Sequence, residues 1–240
     1  MSDLAPVATE PLGVVELRRY TLHPGRRDEL IELFEREFVD SQEAIGIRLL
    51  GLFRDLDHPD VFTWIRGFSD MPGRRRALEA FYDGPIWALH RDAANATMID
   101  SDDVHLLRPV AGVADGISAL PARDGVPRRY TVATVYLDDL DDLDDLDDLD
   151  DLDDLDDRRE LIRQLRVPGW TQVMALETMP AANDFPRLPV HDRDVAVALL
   201  GADTPEASEI EPSDVTVRWR GRTRTTTLRR LGPTAQSRLR

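Results

Sequence analysis

The chain has no cysteine and no lysine among its 240 residues. Without cysteine there is no disulfide, no thiolate metal site and no cysteine nucleophile. Without lysine there is no Schiff-base chemistry and no phosphate-binding P-loop lysine; all 30 basic residues are arginine. No apolar run reaches the ~18–20 residues needed to cross a bilayer, so no membrane span is expected. The opening "MSDLAPVATEPLG" lacks a basic-then-apolar leader pattern, and a cytoplasmic location is the expectation. The five histidines (His23, His58, His90, His105, His191) show no HxH or HExxH spacing, so neither a protein metal site nor any cofactor is expected. GxSxG and GxGxxG are missing too, leaving nucleophile-elbow and dinucleotide readings without support.

What is present is dominated by one tract. Residues 137–157 read "LDDLDDLDDLDDLDDLDDLDD", and setting aside these fourteen aspartates takes the formal charge from −16 to −2. The low isoelectric point therefore describes the tract and not the domains around it. A leucine every third residue falls back about 60° per triplet on a helix, so no buried stripe forms. The aspartates repel one another at i+3 and i+4. The tract lies between a predicted strand and a predicted helix, where each doubling of loop length costs only about 0.6 kcal/mol. It reads as a low-complexity insertion in a surface loop, in which only Leu155, seven residues before Ile162, joins a packed helix face. Calcium binding would need a sharp turn, and the tract has no glycine to make one.

Two similar halves flank a linker. "VVELRRYTL" (Val14–Leu22) is a strand, and "HPG" turns the chain. "RRDELIELFEREFVDSQEAI" is an amphipathic helix ended by Gly46. "IRLLGLFRD" (Ile47–Asp55) and "VFTWIRGF" (Val61–Phe68) are strands, "RRRALEAFYDGPIWALHRDAANATM" is helical with a break at Gly84-Pro85, and "DVHLLRP" (Asp103–Pro109) is a fourth strand. This β-α-β-β-α-β order is the split βαβ unit of ferredoxin-like domains. Residues 111–127, rich in Gly, Ala and Pro, mark the linker. A degenerate second copy then runs over 128–240: strands at Arg128–Leu137, Gly169–Met179, Asp194–Leu200 and Thr225–Leu231, a helix at Arg158–Arg166, and a reduced second helix near 204–213. The predicted fold class is α+β, with one unit at 13–110 and the other at 128–240. Each sheet leaves one face bare, which the other copy, or a second chain in a homodimer, would cover.

Alternation along the first strand puts Glu16, Arg18 and Tyr20 on one face, and along the third strand Phe62, Trp64 and Arg66 share a face. Strands one and three are neighbours in this topology. These six side chains would then line one chamber between the paired sheets, with guanidinium groups for an anion and an aromatic floor. His90, on a predicted helix beside aromatics, is the candidate general base, with Tyr20 as a second catalytic candidate. The segment from Val215 to Arg240 carries eight arginines and no acid. Its alternation of Arg with Thr, Trp and Leu reads as a solvated strand edge, so nucleic acid is not the expected partner.

"VVELRRYTLHPGRRDELIELFERE", "FTWIRGFSDM", "ALEAFYDGPIWALHRDAANATMIDSDDVHLLRP" and "NDFPRLPV" together resemble bacterial NIPSNAP-family proteins, over Gly13–Pro109 and more loosely over Arg129–Leu200. The resemblance implies the dimeric α/β-barrel superfamily. It brings no reaction with it. The expected function is the binding of a small anionic or aromatic molecule in the barrel cavity. The alternatives are a cofactor-independent monooxygenase (or haem-degrading type) acting on an electron-rich aromatic, and a non-catalytic scaffold.

Overall fold

A computed structural model describes residues 12–110, 129–137, 155–165, 169–202, 216–219 and 222–239. The first half runs β1 (Val14–Leu22), α1 (Arg27–Leu33), a π-helical turn (Phe34–Phe38), α2 (Val39–Glu43), β2 (Arg48–Asp55), β3 (Val61–Phe68), α3 (Met71–Tyr82), α4 (Pro85–Asn95) and β4 (Met98–Pro109). The second runs β5 (Tyr130–Tyr136), α5 (Leu155–Gln164), β6 (Trp170–Thr178), β7 (Val195–Ala202), β8 (Thr216–Trp219), β9 (Arg222–Thr225) and β10 (Thr227–Pro233). The linker at 111–127, the reduced helix near 204–213 and most of the acidic tract lie outside the described residues.

Local chemistry explains most boundaries. Gly25, at φ +77°, and Gly46, at φ +89°, supply the left-handed conformations that end the first turn and the first helical segment. Asp70 caps α3 by accepting from the Gly73 amide at 2.6 Å, with Pro72 in the first turn. Two expectations are corrected here. β4 starts at Met98 and not at Asp103, because Thr97 closes α4 by donating its hydroxyl to the Ala94 carbonyl at 2.6 Å. The long first helix is divided by the π-helical turn, a rare device that concentrates at functional sites.

The eight long strands close into one antiparallel barrel in the order β1-β3-β2-β10-β5-β7-β6-β4. Within each half, the order is that of a ferredoxin-like sheet. The halves join edge to edge at two seams, β4 with β6 (Leu107↔Thr178) and β2 with β10 (Asp55↔Leu231). They do not stack as separate layers. An eight-stranded barrel is just wide enough for side chains to fill it, and here Val15, Leu17 and Ile65 meet Val132, Val197 and Leu199 in its interior. β8 and β9 form a separate two-stranded antiparallel sheet. Among the described residues no helix is long and apolar enough to cross a membrane.

Helices cover the outside. α1, the π-helical turn and α3 place Leu30, Phe34, Phe38, Leu78 and Phe81, and α4 places Ala94, in one cluster with Tyr20, Phe62 and Trp64 of the first sheet. α5 places Leu161 and Ile162 against Ala133, Ala196 and Ala198 of the second. The chamber expected between sheets is therefore corrected. The face bearing Glu16, Arg18 and Trp64 lies outside the barrel beneath the helices, because the alternate residues, Val15 and Leu17, are the apolar ones that both sheets share.

The start of β1 is tightly placed. A Cβ on Gly13 would sit 2.1 Å from the Ser69 carbonyl oxygen, a backbone atom that cannot swing aside. Gly13→Ala should cost about 1–3 kcal/mol by forcing strand β1 from β3, read as a lowered midpoint in urea unfolding.

Candidate functional site

Pairing between β1 and β3 sets Glu16 opposite Arg66, Arg18 opposite Trp64 and Tyr20 opposite Phe62. All six expected ligand-face residues are thus brought together, and all are buried. At the centre is the Glu16 carboxylate. It accepts from Arg18 Nη1 at 2.8 Å, from Arg66 Nε at 2.7 Å and from Arg74 Nε at 2.6 Å. Arg74 comes from α3 and pins that helix to the sheet. Its Nη1 also donates to Asn183 Oδ1 at 3.1 Å and to Asp184 Oδ1, in the segment after β6.

The local balance is positive. Three guanidinium groups face two carboxylates, and Asp184, 23% exposed, is the one of the five that is not fully buried. Burial alone would favour a neutral Glu16; the charges of Arg66, Arg18 and Arg74 outweigh it and hold the carboxyl far below the ordinary range. Burial, together with Tyr82, pushes the Tyr20 phenol up against the pull of Arg18 and Arg66. Tyr20 is accordingly a neutral phenol at neutral pH. It accepts from Arg18 Nε at 3.1 Å, which leaves its own proton for a further acceptor.

Among the described residues, Trp64 Nε1 and Arg74 Nη2 are buried without an acceptor; Arg66 Nη2 makes no hydrogen bond either, but lies 2.7 Å from Glu16 Oε2 in an ion pair. Each such group carries a desolvation penalty of about 1–3 kcal/mol. The Trp64 ring lies between Arg18 and Arg66, whose guanidinium carbons are 5.5 and 5.0 Å from its centroid. Tyr20 and Phe34 meet it edge-on at 5.7 and 4.9 Å, and Phe62 packs on Phe34 at 5.5 Å. Surplus positive charge, orphaned donors and an aromatic wall suit an anion carried on a ring.

His90 is not part of this cluster. From α4 its Nε2 reaches Glu37 Oε2, in the π-helical turn, at 3.4 Å, and the ring contacts leading from Tyr20 to His90 pass through Trp64, Phe34 and Phe38. Sequence reasoning missed Arg74 and Asp184. The arginine run "GRRR" at the start of α3 offered three equivalent candidates, and "NDF" carries no periodic signal. It also missed a second cluster, since it sought metal ligands by spacing along the chain: Asp103, His105 and His191 converge at one end of the barrel. Among the described residues, α5 packs Leu161 and Ile162 on an apolar cluster of the second sheet that includes Ala133, Ala196 and Ala198.

The Glu16 shift has a sign. The folded state binds its proton less readily than the unfolded chain, so its contribution to stability is complete above the ordinary carboxylate range and is lost as the pH falls through and below it. Unfolding free energy should therefore decline as the pH drops below about 4.5, and more steeply than in Glu16→Gln, as measured by urea titrations across the acid range.

Comparison with known proteins extends the geometry. Residues 15–112 match the NIPSNAP family model. A "putative monooxygenase" from Lactobacillus acidophilus NCFM shares the fold at 14% identity, covering 92% of this chain and 94% of that one, with a TM-score of 0.53. An uncharacterized NIPSNAP domain protein from Burkholderia xenovorans is 18% identical over 42% of this chain and 99% of its own, with a TM-score of 0.40. A NIPSNAP family protein from Agrobacterium tumefaciens str. C58 is 20% identical over 41% of this chain and 94% of its own, with a TM-score of 0.39. Among curated proteins none matches.

Proposed function

We propose, from the premise that residues 15–112 are a NIPSNAP domain, that the chain binds a small aromatic anion, a carboxylate or phenolate, on the helix-covered face of its first sheet. The observation that carries this reading is the Glu16 cluster with its surplus charge and its two unpaired buried donors. Trp64 Nε1 and Arg74 Nη2 would take the anionic oxygens, and Arg18 and Arg66 would supply the field that attracts them. Phe34, Phe62 and Trp64 would hold the ring, and Tyr20 would donate to a second oxygen. Access requires α3 or α4 to shift, because the cluster is buried. A thermal-shift panel of aryl carboxylates, phenols and fatty acids tests the reading: aryl anions should raise the midpoint, and a panel in which none does so refutes it.

A catalytic extension is an oxygenase acting on an electron-rich phenol without a cofactor. It requires the phenol to sit at the π-helical turn, where Glu37 would orient His90 as base, because Trp64, Phe34 and Phe38 lie between His90 and the Glu16 cluster. Oxygen uptake with a bound phenol, lost in His90→Ala, would support it; binding without uptake leaves the chain a ligand-binding protein.

A further inference from the structure

We propose that Asp103, His105 and His191 form a binding site for one divalent first-row transition-metal ion at a mouth of the barrel, on the opposite face of the sheet from the Glu16 cluster. The β1–β4 register sets His105 opposite Leu17 and Asp103 opposite Arg19, so both side chains project to the barrel interior. His191 comes from the loop before β7 and is tied to β4 by its amide, which donates to the Val104 carbonyl at 2.7 Å. One ligand atom from each residue lies within 4.8 Å of the other two. His191 Nε2 is 3.1 Å from Asp103 Oδ1, and the two imidazole rings are 5.0 Å apart. A metal between them would replace that contact with three bonds of ordinary length.

Two imidazoles and one carboxylate make a ligand set that suits zinc, cobalt, nickel or iron and leaves open coordination positions. Hard cations such as magnesium and calcium prefer oxygen alone. His105 is buried, with Arg19 beside it. The charged neighbours are Arg19 and Arg193. Arg19 Nε lies 2.9 Å from Asp103 Oδ2 in an ion pair, while Nη2 donates to Oδ1 at 3.0 Å and is 3.5 Å from His105 Nε2. By keeping Oδ2 it would orient the carboxylate while Oδ1 turns to the metal, the part that outer-shell partners play in metal sites. Arg193 lies over the Tyr136 ring at 4.8 Å, and that ring is 6.2 Å from His105. With two guanidinium groups nearby, the loaded site is cationic, and its open positions would take small anions.

The test is a titration of the untagged full chain with Co²⁺, followed by displacement with Zn²⁺. One equivalent should bind with a visible d–d spectrum that zinc abolishes and that magnesium and calcium leave unchanged. His191→Ala, at a side chain 42% exposed and so tolerant of change, should weaken binding by about tenfold or more, and Asp103→Asn should do the same. Trimming the acidic triplets, or Arg18→Ala in the other cluster, should leave it intact. No spectrum, equal affinity in His191→Ala, or loss on trimming the triplets would overturn the assignment.

Discussion

Glu16→Gln should remove about 3–5 kcal/mol of stability, the cost of leaving buried charge without its partner. The carboxylate serves three guanidinium groups at 2.6 to 2.8 Å, and all four side chains are buried. Arginine cannot escape by losing its proton. A glutamine has the same shape but offers one neutral acceptor oxygen, and its amide would point two hydrogens at cations. The loss would be a large share of the ~5–15 kcal/mol that holds a typical domain together. The same reasoning gives a converse result. When Glu16, Arg18, Arg66 and Arg74 are all replaced by apolar residues of similar volume, much of the stability should return, because no buried charge is left to solvate. Urea unfolding of the wild type, the single variant and the quadruple variant measures both effects. A quadruple variant that recovers stability and binds no anion would mean that the cluster is retained for recognition; one as unstable as Glu16→Gln would mean that it is a structural clasp.

The second large effect concerns binding. Arg18→Ala should weaken an aryl carboxylate or phenolate by about a hundredfold, which is close to 2.8 kcal/mol and within the range for removing one partner of a buried, hydrogen-bonded charge pair. Arg18 touches Glu16, Tyr20 and the Trp64 ring together, so its removal disturbs the charge, the phenol and the aromatic wall at once. Trp64→Phe is the narrower variant. It keeps an aromatic ring in place while deleting the unpaired Nε1–H and part of the indole, so it should lower affinity by about tenfold while the charged quartet remains. Isothermal titration of both variants, with circular dichroism to confirm that they fold, separates a lost donor from a lost fold. If Arg18→Ala folds and binds as tightly as the wild type, the arginines are not the anion's partners.

Much of this fold was legible along the chain because its signals are periodic. Alternation in Val14–Leu22 and Val61–Phe68 gave β1 and β3 to the residue, and the β-α-β-β-α-β order made them neighbours, which is why Arg18 and Trp64 meet as expected. Which side of the sheet faces the helices was not legible. Both faces of β1 carry apolar residues, and a face with Glu16, Arg18 and Tyr20 looks more like a solvated or ligand-lined surface than one packed under α3. Only contacts across the two halves, Val15 and Leu17 with Val132 and Leu199, decide the matter. Arg74, Asp184 and the meeting of His191 with His105 were beyond reach for the same reason. They are long-range pairs, separated by up to 110 residues, with no period linking their positions. The tandem arrangement was readable from the echo of "RRDELIEL" in "RRELIRQL", whereas closure of the barrel depends on edge pairings that no local pattern announces.

The most direct measurement is a crystal of this chain soaked with 4-iodobenzoate, in which anomalous scattering locates the iodine. The account predicts one strong peak on the helix side of the first sheet, with the carboxylate within hydrogen-bond distance of Trp64 Nε1 or Arg74 Nη2. A peak inside the barrel among Leu17, Val132 and Leu199, with the Glu16 cluster unchanged, would contradict it.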